Sequence, residues 1–453
     1  MRWQTVIQLF SYFWLTTSIC AQSDREPSFQ LLRANEDYQY LAGQEDKTTW
    51  ERLKYISIGK GNLSIGGNIR SEFQYLLNEG WEKGNDDKGL LFQRFMLHAD
   101  WHLTKKIRVF TQLKNGFTID RNGEKSPLDT DHLDFHQLFV DFNLGKHQLS
   151  VGRQELWYGS RRLISIREGT NIRQSFDGVR WKWQDKQHQL DALYFYYNPQ
   201  RIGWFDNDLN TDSMLWGGYY VWVNPLNKLN LDVYYLGVRN KHTAFEAGTD
   251  REVRHSVGAR LWKKTGRFQY NTEFVYQFGD FGNHTIQAWT ASTEINYQLS
   301  ETGLKPTLGF KGELISGDSD ETDRTLGTFN PLYPRGGYFG LLALIGPANL
   351  MDLHPSLALS LGDKWKLNMD WDIFWRYSER DGIYFPSGRL NIPSNQSTHR
   401  FIGHQAGIQI SYEFSPFVAL ETSCFYFDTG RFLNEVTAGA NLLQLGFSAN
   451  IQF

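Results

Sequence analysis

The sequence predicts an all-β fold, a transmembrane antiparallel β-barrel of about eighteen strands with short periplasmic turns and long extracellular loops. Three observations predict it. Segment after segment alternates apolar and polar residues with a period of two, the strand signal. Short and long connections alternate almost throughout the chain, with the brief Gly279–Asn283 link as the weak case, and short inner turns with long outer loops produce that pattern. Finally, the chain is rich in aromatics, with 16 Trp, 22 Tyr and 32 Phe in 453 residues. Beyond the N-terminus, no run approaches the ~18 apolar residues of a transmembrane helix.

Taken in order, residues 1–21 read as a signal peptide. Arg2 supplies the positive start, Val6 to Leu15 the apolar core, and Ala21 the residue before the cut. Ile19 stands where a lipobox wants a small residue, which argues against lipidation of Cys20. That leaves Cys424 alone in the mature chain, with no internal disulfide. Residues 22–58 are polar and charged and read as a periplasmic N-terminal arm, partly helical from Asp46 to Lys54.

Residues 59–453 are assigned to the barrel. Leu63, Ile65, Gly67, Ile69, Ser71, Phe73 and Tyr75 share one face, and Asn62, Ser64, Asn68, Arg70, Glu72 and Gln74 the other. The same alternation recurs at Phe95–Leu103, Ile107–Leu113, Leu138–Leu144, Phe268–Phe278, Trp365–Tyr377 and Leu443–Phe453. Many of these runs outlast an ordinary strand of 5–6 residues. Short links fall at Thr104-Lys105, Gly145-Lys146, Asp185-Lys186, Pro225 to Asn227, Lys264 to Gly266, Gly362-Asp363 and Ser415-Pro416. Longer ones are expected at about 78–90, 118–132, 158–175, 198–213, 240–252, 317–350, 378–399 and 428–440. Phe453, after alternating aromatics, fits a terminal signal read by the barrel-assembly machinery.

Net charge is -3, which argues against a general nucleic-acid-binding surface. The inward parity nevertheless collects cations. Arg70, Arg94, Arg108, Lys114, Arg180, Lys182, Arg254, Arg260, Lys311 and Arg376 lie on it, beside Glu72, Asp100, Asp141, Asp191, Glu273, Glu313, Asp370 and Asp372. Guanidinium forks match carboxylates two bonds at a time, so such a lumen suits anionic solutes. The competing reading is a scaffold of ion pairs that holds the barrel round. His98, Asp100 and His102 share a face, and a wet polar lumen explains them as well as a metal does. Asp318, Asp320 and Asp323 could hold calcium in a long loop, but they lack the spacing of an EF-hand. No cofactor is therefore expected. No G-x-S-x-G, H-E-x-x-H or Cys/His signature is present, and the chain does not read as an enzyme.

The stretch from Leu149 to Trp183 is dense in arginine and glycine. Its Gly152-Arg153-Gln154, Tyr158-Gly159, Arg162-Leu163 and Ser175-Phe176-Asp177-Gly178-Val179-Arg180 resemble the signature of the alginate-export family of outer-membrane porins. Ser316-Gly317-Asp318, the run Gly327 to Pro334, and Asn349 to Leu353 extend the resemblance. It implies an eighteen-stranded outer-membrane channel whose cargo is an alginate-like uronate polysaccharide or small anions. It also brings Arg153, Arg162 and Asp177 into the pore-lining set with Arg180. Arg153 shares parity with Val151, which should face lipid. Either a bulge near Gly152 switches faces, or the strand has already left the hydrocarbon layer. The alternative function is a barrel closed by its own loops that serves as a binding or structural protein.

Overall fold

The computed structural model describes residues 29–120, 125–226, 228–320, 322–339 and 342–453. The expected signal peptide lies outside the described residues. The wall is a closed antiparallel barrel of eighteen strands. In chain order these are β1 (Gly61–Leu77), β2 (Asp87–His102), β3 (Ile107–Ile119), β4 (Asp131–Leu144), β5 (His147–Gln154), β6 (Ser175–Gln184), β7 (His188–Asn198), β8 (Ser213–Val223) and β9 (Asn230–Phe245). They continue with β10 (Gly248–Lys263), β11 (Phe268–Phe281), β12 (His284–Gln298), β13 (Thr307–Ile315), β14 (Leu350–Leu361), β15 (Trp365–Arg376), β16 (Phe401–Ser415), β17 (Val418–Thr429) and β18 (Leu442–Gln452). Each strand pairs with its neighbours in sequence. The sheet closes where β1 meets β18, with Arg70 opposite Asn450 and Phe73 opposite Phe447.

The two faces separate as the period-two pattern requires. On β2, Leu97 and Trp101 point outward and are exposed, whereas Arg94, His98 and Asp100 point inward and are buried. On β15, Trp365 and Trp371 are outside, and Asp372 and Arg376 are inside. Apolar side chains are favoured on the outer face because lipid, not water, surrounds it. The inner face must carry the polar atoms.

The chain links confirm the alternation with one correction. The expected long link at about 240–252 is a hairpin. Thr243 pairs with Asp250 and Phe245 with Gly248, after a register shift between Asn240 and Thr243. Only Glu246 and Ala247 remain as the turn. The ladder continues above the wall because the polar residues of this stretch can still pair backbone to backbone. β11 and β12 likewise meet at Phe281 and His284.

The described part of the N-terminal segment folds into the end of the barrel that bears the short turns. A helix at Thr49–Lys54 begins with a capping box, in which Thr48 and Glu51 satisfy each other's backbone amides. Trp50, Tyr38 and Leu41 pack with Phe417 and Val418. Arg33 donates to the backbone oxygens of Gly67 and Phe453, at 3.2 and 2.9 Å. Lys54 Nζ donates to the Phe453 oxygen at 3.1 Å. Burial, followed by the nearby Arg33 charge, pushes the Lys54 ammonium down to about 7 against the opposing pull of Glu36 and Asp100.

The wall makes a direct prediction. Trp371→Arg puts a charge into lipid and should destabilise the barrel by ~2–4 kcal/mol. Asn368→Arg, on the lumen side of the same strand, should cost no more than ~1 kcal/mol. Urea unfolding in lipid vesicles measures both, and equal losses would contradict the facing of β15.

Candidate functional site in the lumen

The link from β5 to β6, residues 155–174, does not project outward. Leu156, Tyr158, Leu163, Ile164, Ile166 and Ile172 are all buried, although they belong to a loop. Held in water outside the barrel they would forgo burial worth ~1.5–3 kcal/mol for each large side chain. Folded into the lumen, Leu156, Tyr158, Leu163 and Ile164 pack with Phe176, Phe329, Leu332 and Tyr333. Gly159 is required at the inner turn. It adopts φ +55°, and a Cβ there would lie 2.3 Å from the Tyr219 hydroxyl.

Charged pairs then pin the loop to the wall. Glu168 takes Arg94 Nη2 at 2.5 Å. It also pairs with Arg173. Arg70 donates to the carbonyls of Glu168 and Thr170 at 2.9 and 3.0 Å. Burial tends to raise the Glu168 carboxyl, but Arg173, Arg94 and Arg70 outweigh it and hold it at about 2. On the opposite wall, Arg162 reaches Glu313 at 2.5 Å and Thr290 Oγ1 at 2.6 Å. Ser160 donates to Glu273, which also accepts from Tyr234 Oη at 2.7 Å. Tyr158 Oη donates to Asp191 at 2.6 Å.

Two further links fold over the first. Asn330 Nδ2 donates to Glu252 at 3.0 Å, and Arg254 to the Thr328 carbonyl at 3.0 Å. Thr328 and Tyr384 both donate to Asp381, each at 2.6 Å. Burial lifts the Asp381 carboxyl to about 6 against these hydrogen bonds. The outer half of the lumen is thus occupied by the described residues of the links at 155–174, 316–349 and 377–400.

The inner half keeps two open vestibules. One, of about 930 Å³, is walled by the N-terminal segment at Ala34 and Asn35 and by Arg108, Lys146, Arg180, Lys182 and Lys186. Asp141 and Asp185 also line it. The second, of about 660 Å³, lies under Trp157 to Arg161 and is lined by Arg260, Lys263, Lys264, Lys311 and Arg335, with Glu294 and Asp370. Both are open, polar and rich in cations.

The residues singled out from sequence fall into three groups. Arg70, Arg94 and Arg162 hold the inward loop, with Glu273 as one of its acceptors. Lys114 is paired with Asp131 at 3.0 Å under the outer links, and Arg376 caps carbonyls of His399, Ser397, Glu379 and Asp381. Arg180, Arg260 and Lys311 line the vestibules, with Arg260 bonded to Asp232 at 2.8 Å. Arg153 and Asp177 form the third group and differ from the expectation. They pair with each other at 2.8 Å on the outward parity of β5 and β6, between exposed Val151 and Val179 and the rim. Gly152 does not switch the face, since the ladder from His147 to Gln154 is regular. The strand has instead risen to where the link at 199–212 covers it, and Arg153 donates to the Asn207 carbonyl at 2.6 Å.

Asp318, Asp320 and Asp323 accept from loop backbone amides, of Asp320, Thr322 and Thr325. Sequence reasoning missed Arg161, Lys263, Lys264 and Arg335, and passed over Lys146 and Lys186. For the four lysines the signal was position beside a short turn, whereas Arg161 and Arg335 belong to the long inward links. Seven of the eight short turns carry a lysine: Lys105, Lys146, Lys186, Lys228, Lys264, Lys305 and Lys364.

Glu168 sets a pH expectation for the inward loop. Its ordinary value is 4.5 and in place it is about 2. A lowered carboxyl stabilises fully above the ordinary value and ceases to do so as pH falls through the lowered one. Amides of residues 156–174 should therefore keep their hydrogen-exchange protection at pH 5 and lose it near pH 2, after correction for intrinsic exchange. Glu168→Gln should lose it already at pH 7. Unchanged protection in that variant would mean that apolar packing alone holds the loop.

The chain is similar to known channels in both sequence and shape. The family model described as alginate export matches residues 62–441. No curated protein matches. Among solved structures, Pseudomonas aeruginosa OccK2 (OpdF) in complex with glucuronate aligns with a TM-score of 0.57 at 10% identity, covering 86% of this chain and 98% of that one. Pseudomonas aeruginosa OpdK with vanillate aligns at 0.59 and 11%, covering 86% and 98%. A BenF-like porin from Pseudomonas fluorescens Pf-5 aligns at 0.58 and 11%, covering 86% and 99%. At such identities the structures show the shared barrel fold, and the family match carries the assignment: this chain belongs to the alginate-export family of outer-membrane porins.

Proposed function

We propose that this porin passes carboxylate-bearing solutes, with an alginate-like uronate polysaccharide as the candidate cargo. The observation that carries the reading is the pair of cation-rich vestibules, continued outward by lysines on the short turns. Charge in a low-dielectric-walled passage focuses field and concentrates counter-ions. Arg180 and Arg260 offer planar forks to carboxylates, and the lysines act as mobile point charges. Glucuronate and vanillate, named in the OccK2 and OpdK structures, are both carboxylates, which supports the same chemistry here. Passage would be diffusive, with the inward loops as the selective gate. The family and fold are those of transport porins rather than enzymes.

By the usual orientation of bacterial barrels, the short-turn end faces the periplasm. The segment 22–58 is then a periplasmic arm, and its described residues 29–58 narrow this mouth. Phe453, which Arg33 and Lys54 hold, is the residue offered to the barrel-assembly machinery before the arm docks.

The packed outer half of the lumen favours a second reading, a barrel plugged by its loops. Conductance in planar bilayers separates the two. A channel should conduct, prefer anions in a salt gradient, and be blocked by glucuronate oligomers. Arg180→Glu with Lys182→Glu should move the reversal potential toward cation preference, and the shift should shrink at 1 M salt, where the Debye length is ~3 Å. Identical reversal potentials would assign these cations to the scaffold. A barrel that never conducts would be plugged.

A further inference from the structure

We propose that the lumen wall binds one divalent transition-metal ion, of the Zn²⁺ or Mn²⁺ class, between Asp352, His354 and Asp372. Asp352 and His354 lie two residues apart on β14 and so share its inward face. Asp372 lies on the inward face of the adjoining β15. One ligand atom from each of the three falls within 4.8 Å of the others. His354 Nδ1 is 2.5 Å from Asp372 Oδ1, and His354 Nε2 is 3.6 Å from Asp370 Oδ2.

An independent observation points to a ligand. Asp352 is only 1% exposed, and among the described residues neither of its carboxylate oxygens has a hydrogen-bond partner. A buried ionised carboxylate left in that state is costly, and a bound cation removes the cost. The charges around it do not fill the need. Glu313 faces Asp352 across the ladder, and Lys311 faces His354. Arg162, the other cation here, is already 2.5 Å from Glu313. Four carboxylates therefore meet Arg162, Lys311 and His354.

The donor set selects the ion. Calcium and magnesium prefer all-oxygen shells. One imidazole with carboxylates suits zinc, and manganese accepts the carboxylate-rich share. Three protein ligands leave a coordination position for water or a solute carboxylate. Access exists, because His354 and Asp370 line the 660 Å³ vestibule.

The test uses the full barrel in detergent, stripped with chelator and titrated calorimetrically with Zn²⁺ alone. One ion per chain should bind, Mn²⁺ should compete, and Ca²⁺ should not. Asp352→Asn and His354→Gln should each weaken binding at least about tenfold, while heat-modifiable gel mobility shows that they still fold. X-ray absorption of the wild-type zinc complex should give one imidazole nitrogen, a readout that needs no variant. Binding equal to that of the folded variants, or a shell with two or more imidazoles, would overturn the site and leave His354 as an ion-pair partner of the aspartates.

Discussion

The structure depends on one constraint: a backbone amide or carbonyl facing hydrocarbon has no water to bond. An open sheet would leave two such edges, and lipid does not tolerate them. The pairing of β1 with β18 removes both. Once that ladder closes, every wall residue is either outside or inside. A chain with 15% aromatics and 21% charged residues has a place for each. Trp371 and Phe447 go to lipid, and Arg94, Arg254 and Asp372 go to the lumen.

Closure also creates the electrostatic problem that the interior solves. Cations and acids brought inward cannot all be hydrated in a filled lumen. Most of them pair, and the pairs are used to fasten loops. Glu168 is the clearest case, since it engages arginines of the wall and of its own loop. Removing one member of such a buried group costs more than the pair contributes, because the remaining charge is stranded. The interior is therefore packed where such pairs fasten loops and open elsewhere. The division falls between an outer half packed by links and an inner half with two vestibules.

That division bears on how a porin of this family can select. The loop that narrows the passage is held by apolar packing and by arginines whose donors are largely engaged. The cations that line open space lie nearer the short turns. On the proposed reading, attraction and constriction are thus supplied by different residues. Arg180 illustrates the boundary, because it lines a vestibule while the neighbouring Tyr158–Asp191 hydrogen bond belongs to the loop anchor.

Much of this was legible in the sequence for a simple reason: side-chain facing in a strand is a local property with period two. The strand number, the inward parity of Arg94, Arg260 and Lys311, and the outward parity of Trp371 follow from it. So does the outward parity of Arg153, which family resemblance had set against the pattern. What parity could not supply was height along the wall and the path of the links. The tertiary structure decided that Arg153 sits at a covered rim, and that residues 240–252 continue a hairpin. It also decided that residues 155–174 turn into the lumen. Arg94 and Glu168 stand 74 positions apart. Asp352 and Asp372 meet only because β14 and β15 are neighbours in the closed barrel. Such contacts depend on the register and closure of the whole sheet, and no local pattern encodes them.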